Sequence, residues 1–112
     1  MDRFISEGVK IDGVIALGGV AKKSPFVMQV VCDVLDMPIL VARSEQACAL
    51  GSAMAAATVA GLYPTVLGAQ KKMGNGFELE FKPNQVNAEA YAKLYKKYSE
   101  LGSFIEKQVS TK

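Results

Sequence analysis

Hydrophobic and polar positions along the chain fall into blocks that predict an α/β fold. Residues 13–17 form a short apolar, partly β-branched run that ends at two glycines, as a buried strand entering a tight turn does. Residues 39–42 form a second such run, and residues 25–35 and 45–60 carry patterns typical of helices. The order strand, helix, strand, helix with nearly continuous apolar strands favours parallel pairing in one α/β layer.

Both helices carry start signals. Ser24 is a suitable N-cap for the first helix, and Pro25 occupies its first position, where a missing N–H costs nothing. Ser44 offers an N-cap for the second helix, and Gly61 ends it. The second helix is built mostly of small residues, so we expect it to pack closely on the sheet.

The helix at 25–35 is expected to bury a face of valines. These valines recur at helical spacing and are Val27, Val30, Val31 and Val34, and Met28 and Leu35 widen the face. The polar residues Gln29 and Asp33 are placed on the solvent-facing side.

The second half of the chain predicts a different arrangement. Residues 65–73 are expected to form a short helix, residues 74–76 a loop, and residues 77–81 an exposed strand, because apolar and acidic positions alternate there. Residues 89–107 predict a long helix with a docking face of tyrosine and leucine at spacings of three and four. The members of that face are Tyr91, Leu94, Tyr95, Tyr98, Leu101 and Ile105.

Composition narrows the class of protein. With 112 residues the chain is long enough for one domain and too short for two. Its net charge of +2 is too small to indicate nucleic acid or an anionic membrane as the main partner. The sequence contains no histidine, which excludes a histidine-based catalytic triad, metal site or proton switch on these residues.

The cysteines indicate a cytoplasmic protein, and the uncharged segment is too short for a membrane span. Cys32 and Cys48 both lie in apolar stretches, so we expect reduced thiols in the core, without a disulfide framework or zinc site. Residues 47–69 carry no charge, but Gly61 and Pro64 interrupt them before they reach the length of a membrane span. A buried helix followed by a loop is the expected structure.

One loop is a candidate ligand-binding site. Residues 17–24 join the end of a buried strand to the start of a helix, which is where open α/β sheets bind ligands. Gly18 and Gly19 would let a ligand approach the backbone, and Lys22 and Lys23 could reach a phosphate. Spacing alone leaves two interpretations open, an anion-binding loop or a plain tight turn with surface lysines. The loop matches neither the dinucleotide fingerprint nor the Walker phosphate loop.

No residues suited to catalysis accompany this loop. The carboxylates lack the spacing of glycosidase or metal sites, and no nucleophile elbow is present. On residues alone, the sequence predicts a binding module with no catalytic residue of its own.

Residues 14–21 resemble the adenosine motif of the actin, hexokinase and heat-shock-chaperone superfamily. The continuation at 24–35, the strand at 38–41 and the alanine-glycine helix at 45–53 resemble FGGY carbohydrate kinases. Within that family, the length and the lysines of residues 18–25 are similar to those of ribulokinases. The resemblance extends to the C-terminal helix and so covers nearly the whole chain.

The resemblance implies a fold and an activity. The parent would be a kinase with two ribonuclease-H-like domains that transfers the γ-phosphoryl of ATP to the 5-hydroxyl of ribulose, with Mg²⁺, in arabinose catabolism. Residues 1–112 would be a single fragment, the last part of the C-terminal, nucleotide-binding domain. The aspartate base and the sugar pocket would lie in the absent N-terminal domain, so the fragment is expected to be inactive.

The resemblance also assigns cofactor-binding residues, and no metal ligand. The backbones of Gly18 and Gly19 would pass near the ribose and phosphates of ATP, and Ala21 would lie against the adenosine. Lys23 would contact the nucleotide at the rim. Ser24 stands where the family often has asparagine near the adenine edge.

Two alternatives remain at this point. The chain could come from another FGGY kinase, acting on xylulose, gluconate or glycerol. It could also be a structural piece with no ligand affinity of its own. In either case the strands that precede it in the parent would be missing, so we expect self-association through an exposed sheet edge.

Overall fold

Helices and strands occupy most of residues 1–109, the part of the chain that the computed structural model describes. In chain order the elements are α1 (Asp2–Ser6), β1 (Val14–Ala16), α2 (Gly19–Lys23), α3 (Pro25–Leu35), β2 (Ile39–Ala42), α4 (Ala47–Val59), α5 (Val66–Met73), β3 (Phe77–Phe81) and α6 (Gln85–Val109). The predicted strands and helices are therefore confirmed as elements, with shifted ends in α4 and α6.

The strands form a small mixed sheet. Across residues 1–109 its order is β1-β2-β3. β1 and β2 run parallel, with Val14 opposite Ile39 and Ala16 opposite Val41, and α3 is the crossover between them. β3 pairs antiparallel with β2, with an irregularity at Ala42. β1 and β3 are thus the two edges of the described sheet.

The core lies on one face of this sheet, under α3. Because side chains alternate between the faces of a strand, Ile39 and Val41 point the same way, and both are fully buried. The core cluster consists of Ala21, Met28, Cys32, Ile39 and Val41, with Val14, Ala16, Leu35 and Phe81 packed against it. The opposite face is open, since Ile15 and Leu17 are 55% and 57% exposed.

The predicted inward face of α3 is correct at Met28 and Leu35 and wrong at its valines. Met28 is buried, and Leu35 packs against the core cluster. Val27, Val31 and Val34 are exposed, and the other buried positions are Cys32 and Asp33. α3 is apolar on nearly every side, so its periodicity does not decide which side meets the sheet.

Asp33, predicted to face solvent, is 2% exposed. Its Oδ1 accepts hydrogen bonds from Gln29 Nε2 at 2.7 Å and from the backbone N–H of Asn84 at 2.8 Å, and its Oδ2 accepts one from Asn87 Nδ2 at 2.9 Å. These bonds compensate the carboxylate for the water it loses, which is the condition for burying a charge.

α4 begins later than predicted. Its N-cap is Gln46, which makes no side-chain cap, so the prediction of Ser44 as the cap is wrong. α4 packs mainly against α5, and Met54 is the buried residue along it. Its small residues are largely exposed instead of lying close against the sheet.

α6 is longer than predicted. It begins at Gln85 because the Asn84 side chain accepts hydrogen bonds from the backbone N–H groups of Val86 and Asn87. Its first turns pack on α3, where Ala88 is buried. The proposed docking face is uncovered further on, with Tyr98 71% exposed. The radius of gyration of 18.6 Å exceeds the roughly 13 Å of a compact chain this long, because α6 projects from the rest.

The two cysteines differ. Cys32 is buried, as predicted, and its Sγ lies 3.1 Å from the carbonyl oxygen of Met37. Burial, with the neighbouring Asp33 carboxylate, raises the pKa of the Cys32 thiol. Cys48 is exposed, so its predicted place in the core is wrong. No helix within residues 1–109 is long and apolar enough to cross a membrane.

Candidate functional site

The turn after β1 presents bare backbone at the surface. Gly18 has φ +89° and ψ −179°, a combination that residues with a Cβ essentially never adopt. A Cβ added to Gly18 or Gly19 would meet nothing within 4 Å, so the space beside both residues is open. A ligand can therefore approach the main chain here.

Gly18 leads directly into α2, a short helix where the sequence indicated a loop. Ala21, in the middle of α2, is 4% exposed and belongs to the core cluster. Its methyl group therefore anchors the turn to the core and leaves little surface for a ligand. The assignment of Ala21 to adenosine stays a prediction.

Ser24 and Lys23 lie at the junction of α2 and α3. The Ser24 hydroxyl accepts a hydrogen bond from the backbone N–H of Val27 at 3.4 Å, which confirms it as the N-cap of α3. Lys23 is exposed on the last turn of α2. Of the sequence-predicted site residues, Lys23 is thus the one with an exposed charged side chain.

Lys22 faces the sheet. Its Nζ donates a hydrogen bond to the carbonyl oxygen of Arg43 at 2.6 Å and lies 3.0 Å from Oε1 of Glu78. Arg43 follows β2, and its backbone N–H donates to the carbonyl of Gly76 at 3.0 Å. The lysine thereby connects the helix after the glycine turn to the ends of β2 and β3. Sequence reasoning missed this cluster, because nothing near Lys22 in the chain indicates Glu78.

A cavity of about 510 Å³ lies beside the turn, between the open face of the sheet and α4. Its apolar walls include Ile15, Leu17, Leu50, Met54 and Phe77, and its polar groups include Ser44, Gln70 and Asn75. Leu17 connects this cavity to Gly18. The lining comes from three separated stretches of the chain, so the sequence pattern gave no sign of it.

The groups with perturbed pKa values lie away from the glycine turn. The described groups with a clearly shifted pKa are Cys32, Asp33 and Tyr95, and none belongs to the glycine turn. Hydrogen bonds from the backbone of Asn84 and the side chain of Asn87 hold the pKa of Asp33 low, so this carboxylate is already engaged. The open backbone and the adjoining cavity leave room for a ligand beside the turn.

The same residues do not fit a metal. Over residues 1–109, no group of three or more carboxylate or cysteine side chains converges where it could hold a metal ion. We therefore assign no residue of the chain to magnesium.

Comparison with known proteins gives the context of this site. Residues 1–60, which include the whole turn, match the C-terminal domain of the FGGY family of carbohydrate kinases. The chain is 42% identical over 106 residues to a ribulokinase of Vibrio parahaemolyticus, covering 95% of this chain and 19% of that protein. It is 39% identical over 108 residues to a ribulokinase of Shouchella clausii, covering 93% and 19%.

Solved structures show the same fold. A ligand-bound xylulose kinase from Lactobacillus acidophilus superposes with a TM-score of 0.72 at 24% identity, covering 88% of this chain and 19% of that one. A gluconate kinase from the same organism superposes with a TM-score of 0.73 at 24% identity, covering 88% and 20%. The chain spans about a fifth of the length of the curated relatives it matches. Since the family match takes in more than half of its residues, this chain belongs to the FGGY family of carbohydrate kinases.

Proposed function

We propose that this chain is the nucleotide-binding last part of the C-terminal domain of an ATP-dependent sugar kinase. On this proposal residues 1–112 form one unit of a ribonuclease-H-like domain. The observation that carries the proposal is the open Gly18–Gly19 backbone at the carboxyl end of β1, inside the segment that matches the family. Ligands of open α/β sheets bind at that end of the strands.

The residues of the turn have different roles in this proposal: contact with the nucleotide, packing on the core and capping of α3. Gly18 and Gly19 offer main-chain groups to the ribose and phosphates of ATP, and Lys23 supplies a positive charge at the rim. Ala21 contributes chiefly by seating α2 on the core, since its side chain is buried. Ser24 fixes the start of α3 through its capping hydrogen bond, which leaves its hydroxyl less available to adenine.

Phosphoryl transfer itself requires the rest of the kinase. Catalysis of this kind is mainly positioning and charge stabilisation around the transferred group, and no group on the described residues is placed to act as a base. We propose that the sugar pocket and the aspartate base lie in the N-terminal domain, and that Mg²⁺ reaches the turn with ATP. The isolated chain is then expected to bind nucleotide without transferring phosphate.

Ribulose is the substrate we propose for the intact kinase. The relatives with 39–42% identity named above are ribulokinases, whereas the xylulose and gluconate kinases share 24% identity and the fold. The second candidate is another FGGY kinase, acting on xylulose, gluconate or glycerol, and the third is a structural piece without ligand affinity. We place the kinase in the cytoplasm, which agrees with its two unpaired cysteines, with neither nucleic acid nor membrane as partner.

Nucleotide binding is tested by an amide NMR titration of the chain with Mg-ATP, with Mg-GTP as the control. We expect shifts concentrated at Gly18 to Ser24 and a preference for ATP. A Gly19→Val variant, whose side chain fills the open space, should lose these shifts and keep its fold. If the variant titrates like the wild type, the turn is not the nucleotide site.

The sugar is tested on the intact kinase that contains this chain, because the proposed sugar pocket lies outside these residues. We expect phosphorylation of ribulose in preference to xylulose, gluconate and glycerol. The intact kinase with Gly19→Val is the control for the role of the turn and should lose activity on every sugar. A preference for xylulose, gluconate or glycerol contradicts the ribulose proposal and supports the second candidate.

A further inference from the structure

Lys22 is engaged where Lys23 is free. The Lys22 ammonium donates to the carbonyl oxygen of Arg43 at 2.6 Å and pairs with Glu78 at 3.0 Å. The positive charge of Lys22 is therefore paired with Glu78 of β3. A phosphate bound at the glycine turn would have to compete with Glu78 for the ammonium group. Lys23, the next residue, is exposed.

The Lys22–Glu78 pair is also sheltered. Its side chains are 19% and 31% exposed, whereas those of the Lys82–Glu80 pair on the same side of β3 are 77% and 47% exposed at 3.8 Å. Exposed pairs contribute little, because water and salt screen them, while partly buried pairs are screened less. Lys22 is thus suited to fixing the position of one element against another.

The element it fixes carries the glycine turn. α2 begins at Gly19, directly after Gly18 with its positive φ, and spans five residues. Ala21 packs α2 against the core, and the hydrogen bond and ion pair of Lys22 attach α2 to the ends of β2 and β3. With these two attachments, the turn has a defined place relative to the cavity lined by Leu17 and Gly76.

We propose that Lys22 is a positioning residue, which sets the location of the Gly18–Gly19 turn through Glu78 and the Arg43 carbonyl and does not contact the phosphates. This inference rests on the proposed binding of nucleotide at that turn. It separates two neighbouring lysines that the sequence could not tell apart: Lys22 shapes the site, and Lys23 meets the ligand.

The test removes each partner of the pair in turn. Lys22→Met and Glu78→Gln are prepared with their double variant, and Lys22→Arg serves as the conservative replacement. Glu80→Gln, two residues along β3, is the matched control outside the site. Dissociation constants are measured for Mg-ATP and for adenosine, which lacks phosphate, and thermal unfolding confirms that each variant folds.

A positioning role predicts a specific pattern of dissociation constants among these variants. Lys22→Met and Glu78→Gln should each weaken binding of Mg-ATP and of adenosine by the same factor, about three- to tenfold, as expected for a sheltered ion pair. The double variant should be no worse than either single one, because both remove the same interaction. Lys22→Arg should restore most of the affinity, and Glu80→Gln should leave it unchanged. Lys23→Met should weaken Mg-ATP and spare adenosine.

Two results overturn the proposal. If Glu78→Gln leaves Mg-ATP binding unchanged or tightens it, the freed Lys22 is not acting through Glu78. If Lys22→Met weakens Mg-ATP and spares adenosine, Lys22 is a direct phosphate contact. Should Lys22→Met fail to fold, Glu78→Gln decides by itself, because it leaves α2 unaltered.

The ligand-free spectra separate this proposal from the proposed function. If the wild type binds no nucleotide, the proposed function fails. The amide signals of Gly18 and Gly19 still decide the positioning role, because Lys22→Met and Glu78→Gln should displace both signals alike and Glu80→Gln should not. Unmoved signals in both variants overturn the positioning role.

Discussion

Asn87 donates a hydrogen bond from Nδ2 to Oδ2 of Asp33, a residue 54 positions earlier, at 2.9 Å. The bond joins the first turn of α6 to the last turn of α3. The neighbouring Asn84 N–H donates to the other oxygen of the same carboxylate at 2.8 Å. One buried side chain therefore holds the start of the C-terminal helix against the sheet-bearing half of the molecule.

Asp33 should make stability depend on pH. Hydrogen bonds from Asn84 and Asn87 lower its pKa in the folded chain, so its contribution is fully present above the unfolded pKa and is lost as pH falls through the folded value. We expect urea midpoints to fall in acid for the wild type. Asp33→Asn should lower the midpoint at neutral pH and flatten its acid dependence.

The matched control is Asp12→Asn. Asp12 pairs with Lys10 at 2.8 Å, but the two side chains are 76% and 87% exposed, so its loss should leave the midpoint nearly unchanged. An acid dependence that is identical in the wild type and in Asp33→Asn contradicts the role of the buried carboxylate.

Ser24 and Ser44 should differ although both precede helices. Ser24→Ala removes the acceptor for the Val27 N–H and should cost about 1 kcal/mol. Ser44→Ala should cost nearly nothing, because the cap of α4 is Gln46 and no side-chain bond forms there. Chemical denaturation of both variants measures the difference, and equal losses would show that the capping bond is unimportant.

Gly18 and Gly19 should respond oppositely to alanine. Gly18→Ala forces a Cβ into the φ +89° conformation and should destabilise the fold by about 1–3 kcal/mol. Gly19→Ala meets open space at the first position of α2 and should keep or slightly raise stability. Thermal unfolding of the pair tests this, and a tolerated Gly18→Ala would contradict the described turn.

The β1 edge should promote self-association. β1 is an outer strand of the described sheet, and Ile15 at its centre is 55% exposed, so the backbone groups of β1 can pair with a second copy. Sedimentation velocity should show a weight-average coefficient that rises with concentration, and Ile15→Lys should reduce that rise. A wild type that stays monomeric across a wide concentration range contradicts this expectation.

The parts of the fold that local sequence decides were predictable. Apolar runs located β1 and β2, and Ser24 with Pro25 located the start of α3, because each signal lies within a few residues of its effect. The glycine turn was found for the same reason.

The parts that depend on distant partners were not predictable. Asp33 looked like a surface residue because its compensating donors come from residues 84 and 87. Lys22 looked equivalent to Lys23 because Glu78 lies 56 residues further along the chain and is brought near by the antiparallel pairing of β2 and β3. At the candidate site, sequence therefore located the backbone turn and missed the side chains that hold it.

The projecting half of α6 implies that the molecule does not unfold in one step. α6 has 25 residues, yet its large apolar side chains from Tyr98 onward are exposed, and Gly102, a weak helix former, lies within that part. An isolated helix of about 12–15 residues is marginal in water, so the far end should fray gradually while the sheet and α3 open together. A calorimetric enthalpy larger than the van 't Hoff enthalpy is the thermodynamic signature of that division.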